Sequence, residues 1–261
     1  MKNLNHSIYS LILIISVVIT GCQPGKKMSP GEGYVDVKGG KVWYRIVGSG
    51  DKTPLLLLHG GPGFTSYYLN PMADLGKDRP VIFFDQLGCG RSASDVDSTM
   101  MTVDSYVEQV EQLRTSLGIE DFYLYGHSWG TMLGIDYYLK YPKNIKAMIL
   151  ASPALSAPRW SEDAKELIPT LPDSIQSATQ TAADSNAYDT PEYEHAVNVF
   201  YEKFVIRKLP WDANIDSTFQ QANLNVYGHM WGPSEFTATG TLADYDRTDV
   251  LGQINIPTLY V

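Results

Sequence analysis

The sequence predicts an α/β fold in which helices cover both faces of a mostly parallel sheet. Short apolar runs bounded by turn residues recur along the chain, as expected of buried strands. Stretches with apolar residues at every third or fourth position separate these runs, which is typical of helices. Strands that alternate with helices form parallel sheets, and such sheets bind ligands beyond the carboxyl ends of the strands. A chain of 261 residues, 44% of them hydrophobic, is long enough to form one sizeable core.

The predicted elements follow this alternation through the first 152 residues. Turn residues from Lys38 to Gly40 divide the first two strands, and Gly118 ends the first helix. In order, the elements are a hairpin at 34–48, strands at 55–58 and 81–85, a helix over 106–117, a strand at 122–125, a helix over 131–141 and a strand at 147–152.

The first residues have the pattern of a targeting segment. Lys2 supplies a short positive region, and the apolar run at 8–19 is too short for a membrane-spanning helix. The Ile-Thr-Gly-Cys sequence that follows resembles the lipobox of bacterial lipoproteins, in which the cysteine, here Cys22, becomes the lipidated first residue. We therefore predict a lipoprotein signal peptide at 1–21. The alternatives are an uncleaved anchor or an ordinary signal with a chance cysteine.

A lipid at Cys22 would anchor the protein to a membrane of the cell envelope. Residues 22–33, rich in Pro, Gly and Lys, are predicted to be a tether. Gln23 stands where an acidic residue would favour the inner membrane, so we expect the outer membrane or the periplasmic face. Cys89 is the other cysteine, so no intramolecular disulfide is expected, and we interpret it as a packed thiol.

Composition bears on the possible partners. A net charge of -9 argues against binding to a nucleic-acid backbone. The sequence indicates neither a metal site nor a cofactor, and it does not indicate an oligomeric state.

The sequence YGHSWGTML places Ser128 between a predicted strand and a predicted helix. Gly126 and Gly130 on either side would let neighbouring chain segments pass close to this corner. This arrangement matches the G-x-S-x-G nucleophile elbow, which holds a serine hydroxyl out at the carboxyl end of a sheet. The alternative is an ordinary N-cap in a strand-to-helix turn.

Two further loops are predicted at the same edge of the sheet. In HGGPG, Gly60 and Gly61 expose backbone N–H groups, and the N–H groups of Gly61 and Trp129 are candidates for an oxyanion hole. A tight turn with no ligand is the alternative. In DQLGCGRS, Asp85 is expected to hold its own loop. Three loops at one edge favour the interpretation of the elbow serine as a nucleophile.

HGGPG, DQLGCGRS and GHSWG, in this order and spacing, resemble the proline iminopeptidase family of α/β-hydrolase serine peptidases. The resemblance extends from about Tyr34 to Val261, and MWGPSEF is its most specific motif. It implies the α/β-hydrolase fold, a mostly parallel sheet covered by helices, with an inserted helical cap. It also implies a serine aminopeptidase that releases N-terminal proline or another small apolar residue from small peptides, through an acyl-enzyme at Ser128.

The predicted domain organisation is a hydrolase core at 34–155, a helical cap at 156–244 and a return to the core at 245–261. The cap segment loses the strand pattern and is rich in Ala, Asp, Glu, Gln and aromatic residues, with prolines between its stretches, which indicates helices. Inserted between two strands, it would lie over the Ser128 edge and control what enters.

The resemblance assigns Glu235, in GPSEF, as the glutamate that binds the ammonium group of the substrate by charge-assisted hydrogen bonds. The alternative is an acid in the first turn of a helix that begins near Pro233. Trp129 and Trp231 are candidates for flat apolar walls around a proline ring, although aromatic residues are usually just packed.

The resemblance leaves the catalytic acid and base without residues in this sequence. In this fold the chain order is nucleophile, acid, histidine, and the acid follows the strand predicted at 254–261. We therefore expect the catalytic Asp and His beyond Val261, in a longer enzyme of which this chain is a truncated and inactive version that lacks the last strand and helix. The histidines of the sequence are expected to lie in the signal, beside backbone motifs, or at solvated and structural positions: His6, His59, His127, His195 and His229.

Three functional hypotheses remain open from the sequence. The first is a lipid-anchored serine aminopeptidase acting on small peptides with a free N-terminus. The second is an esterase or lactonase on the same scaffold, which needs Ser128 and the oxyanion donors but no ammonium anchor. The third is a non-catalytic, surface-tethered binding protein.

Overall fold

The structure, a computed structural model, describes residues 28–92 and 95–261. The predicted signal peptide, Cys22 and the first part of the tether lie outside these ranges. Within them, no helix is both long enough and apolar enough to cross a membrane.

One sheet forms the centre of the described chain. Its strands are β1 (Gly31–Val37), β2 (Gly40–Val47), β3 (Leu55–Leu58), β4 (Val81–Phe84), β5 (Phe122–His127), β6 (Ile145–Ala151) and β7 (Thr258–Tyr260). Their spatial order is β1-β2-β4-β3-β5-β6-β7. β2 pairs antiparallel with both β1 and β4, and every other neighbouring pair is parallel. The predicted α/β fold with a mostly parallel sheet is therefore confirmed.

Helices follow the strands as the sequence predicts. The α-helices of the described residues are α1 (Val103–Ser116), α2 (Trp129–Lys140), α3 (Ala157–Leu167), α4 (Asp173–Ser185), α5 (Pro191–Phe200), α6 (Ala213–Gln220) and α7 (Leu224–Met230). 3-10 helices occupy Tyr67–Lys77, Ser98–Met100, Pro142–Asn144, Ile168–Thr170 and Thr248–Gln253, and a π-helix follows α5 at Tyr201–Val205.

The local sequence explains why the core elements form. Every residue of β3 and β4 is buried, in agreement with their uninterrupted apolar sequences at the centre of a covered sheet. α1 begins after Thr102, whose side chain accepts a hydrogen bond from the N–H of Ser105. Its buried residues include Tyr106, Val110 and Leu113, which recur every three or four positions, and it ends before Gly118, which has a left-handed φ of +67°.

Several of the 3-10 helices and the π-helix were not predicted. The 3-10 helix at Tyr67–Lys77 contains Pro71 and Gly76, which interrupt helical periodicity. The π-helix at Tyr201–Val205 continues α5 without a break in composition, so its wider turn leaves no sequence signal.

Between β6 and β7 the chain leaves the sheet and forms the helices α3 to α7, which we call the cap. The two ends of this segment meet, because the Ser156 hydroxyl donates to the Asp246 carboxylate at 2.7 Å. The return to the core is held by α2, where Asp136 accepts hydrogen bonds from Tyr245 Oη (2.7 Å) and Arg247 Nε (3.0 Å). The cap also has a small apolar core of its own, formed by Leu171, Ile175, Ala196 and Phe200.

Candidate active site

Ser128 occupies a strained corner between β5 and α2. Its φ of 52° and ψ of -122° lie outside the regions that a serine normally adopts. The two flanking glycines are required by close chain contacts. A Cβ on Gly126 would overlap the carbonyl oxygen of Gly130, and a Cβ on Gly130 would overlap the carbonyl oxygen of Leu58 in β3. The close contacts at this elbow therefore explain why positions 126 and 130 are both glycine.

The backbone of Ser128 is fixed while its hydroxyl is left available. Its N–H donates to Ala151 O at 3.1 Å, and its carbonyl accepts from the N–H and the hydroxyl of Thr131 at 2.7 and 2.6 Å. The side chain makes no capping hydrogen bond to α2, so Ser128 is not an ordinary N-cap. Instead it lines two adjoining cavities at the carboxyl edge of the sheet.

The predicted oxyanion donors lie beside Ser128. Gly61 and Trp129 line the same small cavity as the serine, which we call the small pocket. Trp129 is the first residue of α2, so its N–H has no acceptor within the helix. Gly61 has a φ of +119°, and a Cβ there would lie 2.7 Å from the N–H nitrogen of Phe64. Gly61 and Trp129 therefore share the wall of the cavity that Ser128 lines.

A hydrogen-bond chain that was not predicted holds the loop at 59–63. The N–H of Gly60 donates to Tyr68 Oη at 2.7 Å, and the same hydroxyl lies 2.9 Å from His127 Nδ1. Tyr68 belongs to the 3-10 helix that sequence patterns missed, so no spacing rule connects it to the loop.

The two candidate tryptophans are largely enclosed. The Trp129 ring is packed in the core, donating from Nε1 to Gln86 Oε1 at 2.8 Å. The Trp231 ring donates to Ser234 O at 3.1 Å and meets Trp160 edge to face at 6.0 Å. Both tryptophans still line the small pocket, whose volume of about 10 Å³ is room for about one water molecule.

Glu235 reaches the Ser128 edge from the cap. It lies in a tight turn between Ser234 and Thr237 and not in a helix, so the alternative of a first-turn helix acid is wrong. Glu235 lines both cavities together with Ser128. The indole N–H of Trp160 donates to its carbonyl at 2.6 Å and fixes the turn.

Two tyrosines surround the Glu235 carboxylate. Tyr227 Oη and Tyr201 Oη donate to its Oε1 at 3.2 and 3.3 Å. Burial raises the pKa of Glu235 to about 7, and the two hydroxyl donors partly counteract that rise. Sequence reasoning missed both tyrosines, because α7 and the π-helix become neighbours only through packing of the cap.

The second cavity, which we call the large chamber, has a volume of about 490 Å³ and lies between the core loops and the cap. Gly60, Gly61, Ser128 and Glu235 form part of its wall. Aromatic and aliphatic side chains of the cap form much of the remaining wall: Leu167, Phe200, Phe204, Val205, Ile215 and Phe219.

The described histidines differ in their surroundings. His59 is fully buried, where its Nε2 accepts from the Gln86 N–H at 2.9 Å and burial lowers its pKa. His127 lines the large chamber, but burial lowers its pKa to about 4, which makes it a weak proton acceptor at neutral pH. His195 and His229 are exposed on α5 and α7, as predicted.

The remaining loop residues are structural. Asp85 Oδ1 accepts from the N–H and hydroxyl of Ser66 at 2.9 and 2.8 Å, and Oδ2 accepts from Arg91 Nε at 2.7 Å, so Asp85 holds its loop as predicted. Cys89 is buried, its thiol donates to Gln86 O at 3.1 Å, and burial raises its pKa, so it is a packed thiol. Among residues 28–92 and 95–261, no group of three or more His, Cys, Asp and Glu side chains is placed to hold a metal ion.

Comparison with known proteins agrees with this geometry. A family model described as the alpha/beta hydrolase fold matches residues 53–261. A proline iminopeptidase from Heyndrickxia coagulans is 41% identical over 233 residues, which cover 88% of this chain and 80% of that protein. The crystal structure of VinJ superposes with a TM-score of 0.84 at 34% identity, covering 89% of this chain and 81% of VinJ. A proline iminopeptidase from Mycobacterium smegmatis gives a TM-score of 0.79 at 30% identity, covering 88% and 80% of the two chains.

Proposed function

This chain belongs to the proline iminopeptidase family of the α/β-hydrolase fold, and from that premise we propose that it is a serine aminopeptidase releasing N-terminal proline or another small apolar residue from peptides. The observation that carries the proposal is the meeting of Ser128, Gly61 and Glu235 at one small pocket. Cleavage next to a free amino group requires a nucleophile, an oxyanion donor and a carboxylate, together with a general base.

The substrate is oriented by its ammonium group, by its N-terminal side chain and by the carbonyl group of the scissile bond. The ammonium group binds the Glu235 carboxylate, which Tyr201 and Tyr227 hold in place. The small side chain of the N-terminal residue lies beside Glu235 in the large chamber, against Trp160. The scissile carbonyl then lies over Ser128 with its oxygen towards the N–H groups of Gly61 and Trp129.

The reaction proceeds in two halves. Ser128 Oγ loses its proton to a general base and forms a bond to the carbonyl carbon, whose oxygen becomes the oxyanion. The C–N bond breaks, the leaving amine takes the proton, and an ester of Ser128 remains. Water then attacks this ester, releasing the free amino acid and restoring the hydroxyl.

We propose that the acid and the base of this reaction follow β7, as the chain order of the fold requires. The Ser152 N–H at the end of β6 donates to Val261 O at 2.8 Å, which places the carboxyl end of β7 at the Ser128 edge of the sheet. A residue directly after β7 is therefore in position to reach the elbow. The weakly basic His127 and the exposed His195 and His229 are not suited to this role.

The family match favours the aminopeptidase over the esterase or lactonase and over a non-catalytic binding protein. The position of Glu235 supports the same choice, because an ester substrate has no ammonium group that would need a carboxylate.

The experiment that tests the proposal is labelling of the gene product with a fluorophosphonate, followed by hydrolysis of prolyl-2-naphthylamide. We expect Ser128 to carry the label, and Ser128→Ala to lose both labelling and turnover. Cys89→Ala, a matched change to alanine at a buried loop residue, should keep both. Labelling that survives in Ser128→Ala would show that another residue is the nucleophile.

We further propose that the protein is a lipoprotein of the cell envelope, anchored to a membrane through a lipid at Cys22. The lipobox-like Ile-Thr-Gly-Cys sequence supports this location, and Gln23 favours the outer membrane.

A further inference from the structure

The loop at 59–63 presents a backbone N–H that the described chain does not use. Gly61 lines the small pocket together with Ser128, and its N–H makes no hydrogen bond within residues 28–92 and 95–261. The proposed function assigns this N–H to the oxyanion. A donor of this kind works because its direction is fixed before the reaction begins. The groups that fix the peptide unit of Gly61 therefore bear on catalysis.

His59 holds that peptide unit at its carbonyl end. The bond between Gly60 and Gly61 is trans, so the Gly60 carbonyl and the Gly61 N–H lie in one plane and point in opposite directions. His59 Nδ1 lies 2.8 Å from the Gly60 oxygen. A contact at this carbonyl thus sets the direction of the Gly61 N–H, which points away from the His59 ring.

The surroundings of His59 determine which of its nitrogens carries the proton. The Gln86 N–H donates to Nε2 at 2.9 Å, so Nε2 is an acceptor without a proton. The ring is fully buried, and this burial lowers its pKa, so the imidazole is neutral and its proton is on Nδ1. Nδ1 is therefore the donor and the Gly60 oxygen the acceptor in the contact between them.

Tyr68 holds the preceding peptide unit. Its hydroxyl accepts from the Gly60 N–H at 2.7 Å and therefore directs its own proton to His127 Nδ1, 2.9 Å away. The Tyr68 N–H donates to Thr218 Oγ1 of α6 at 3.1 Å, which fixes the backbone of the tyrosine. A Cβ built on Gly60 would lie 3.2 Å from Tyr68 Oη and 3.3 Å from Ser128 Cβ. The hydroxyl and the nucleophile thus lie on the same side of Gly60.

Building on the proposed aminopeptidase function, we infer that His59 and Tyr68 are positioning residues that together fix the direction of the Gly61 N–H for the oxyanion. His59 acts through the Gly60 carbonyl, and Tyr68 acts through the Gly60 N–H. The oxyanion forms only as the scissile carbonyl is attacked. Loss of either contact should therefore lower kcat and leave KM nearly unchanged.

Two variants of His59 separate its two hydrogen bonds. The amide of asparagine reaches about as far as Nδ1, so His59→Asn keeps a donor for the Gly60 oxygen. The amide of glutamine reaches about as far as Nε2, so His59→Gln keeps only an acceptor for the Gln86 N–H. Both variants lose the buried ring, so the comparison between them cancels much of the damage to packing.

The measurement is kcat and KM of the gene product for prolyl-2-naphthylamide, with kcat expressed per serine that a fluorophosphonate labels at completion. We expect kcat to be about tenfold or more higher in His59→Asn than in His59→Gln, at similar KM. Equal kcat values in the two variants, both well below that of the wild type, would show that His59 supports only the packing of the loop and would overturn the inference.

Tyr68→Phe tests the second contact with a smaller change, because it removes one hydroxyl and keeps the ring. We expect kcat to fall about tenfold or more, with KM within about twofold of the wild type. Tyr67→Phe makes the same change at the neighbouring residue, whose ring lies 4.2 Å from the Arg91 guanidinium, and should leave kcat unchanged. An unchanged kcat in Tyr68→Phe, or an equal loss in both variants, would overturn the inference.

The outcomes separate this inference from the function on which it rests. If the His59 variants do not fold, the comparison of Tyr68→Phe with Tyr67→Phe decides. A wild type that hydrolyses no prolyl substrate would overturn the proposed aminopeptidase. A wild type that hydrolyses it, with variants that retain full kcat, would overturn the positioning roles alone.

Discussion

At the scale of single residues, Glu235 has a charge that depends on opposing effects. Burial in the cap interface disfavours the carboxylate, while the hydroxyl groups of Tyr227 and Tyr201 stabilise it. The resulting pKa of about 7 means that the ammonium anchor is only partly ionised at neutral pH. An ordinary exposed glutamate would be fully ionised there.

We predict that kcat/KM for prolyl amides rises with pH through about 7, as Glu235 becomes ionised. Tyr227→Phe removes a hydrogen bond that lowers the pKa of Glu235. In this variant the rise of kcat/KM on the acidic side of the pH profile, the acidic limb, should therefore move to higher pH. Glu235→Gln should abolish that limb and weaken transition-state binding by roughly 1 to 3 kcal/mol. The measurement is a pH profile of kcat/KM for a prolyl amide and for an acetyl ester.

The control variant for this profile is Tyr193→Phe, which removes a hydroxyl bonded to Ser234 Oγ at 2.7 Å but not to Glu235. Its acidic limb should stay in place. The acetyl ester should show no effect of Glu235→Gln, because it has no ammonium group. Equal losses on both substrates would mean that Glu235 supports only the structure of the cap.

The residues of this site were predictable to different degrees. Ser128, Gly61 and Trp129 lie in short motifs whose function depends on local backbone geometry, so sequence alone could nominate them. Tyr201 and Tyr227 stand in helices with no motif, and they reach Glu235 only after the cap has folded. Such contacts depend on tertiary packing, which leaves no pattern in a single sequence.

At the scale of secondary-structure elements, the distance between α2 and the sheet sets the position of the nucleophile. α2 starts directly after the elbow, and Gly130 in its first turn approaches the Leu58 carbonyl of β3. At Gly134, about one turn further along, an added Cβ would make ordinary van der Waals contacts at 3.5 and 3.6 Å.

We predict that Gly130→Ala forces α2 away from β3, because its Cβ would overlap a backbone oxygen that cannot rotate aside. The free energy of unfolding should fall by about 1 to 3 kcal/mol, as for other overpacked cores. Ser128 should also react more slowly with a fluorophosphonate. Urea denaturation and labelling rates measure the two effects.

Gly134→Ala is the matched control for this change. It adds the same methyl group to the same helix where there is room, so it should be neutral or stabilise the protein by up to about 1 kcal/mol. If both variants were equally stable, close packing of α2 on β3 would not be what fixes the elbow.

The elements themselves were predicted well where one physical signal dominated. The central strands are uninterrupted apolar sequences buried on both faces, and α1 has one apolar face. The 3-10 helix at Tyr67–Lys77 escaped prediction because its proline and glycine break the periodicity. The antiparallel pairing of β2 with β4 also could not be read from sequence. It depends on where the β1–β2 hairpin joins the parallel strands of the sheet.

At the scale of the whole molecule, the two ends of the sheet have different roles. Ser128 lies at the carboxyl end of β5. Met28, at the start of the described chain, lies near Pro54 and Asp121, which directly precede β3 and β5 and so mark the amino ends of these strands. β5 has 6 residues, so the two ends are about 20 Å apart.

This separation leads to a prediction about the proposed lipid anchor. From Cys22 to Met28 the chain spans at most about 22 Å, so a lipid at Cys22 would be attached on the side where the strands of the sheet begin, opposite the Ser128 edge. We therefore expect wild-type protein to incorporate a radiolabelled fatty acid and to sediment with membranes. Cys22→Ser should be unlabelled, yet its kcat/KM for a small prolyl substrate should stay within about twofold of wild type. A wild type without label would contradict the anchor, and a labelled wild type whose Cys22→Ser variant loses activity would contradict the separation of anchor and site.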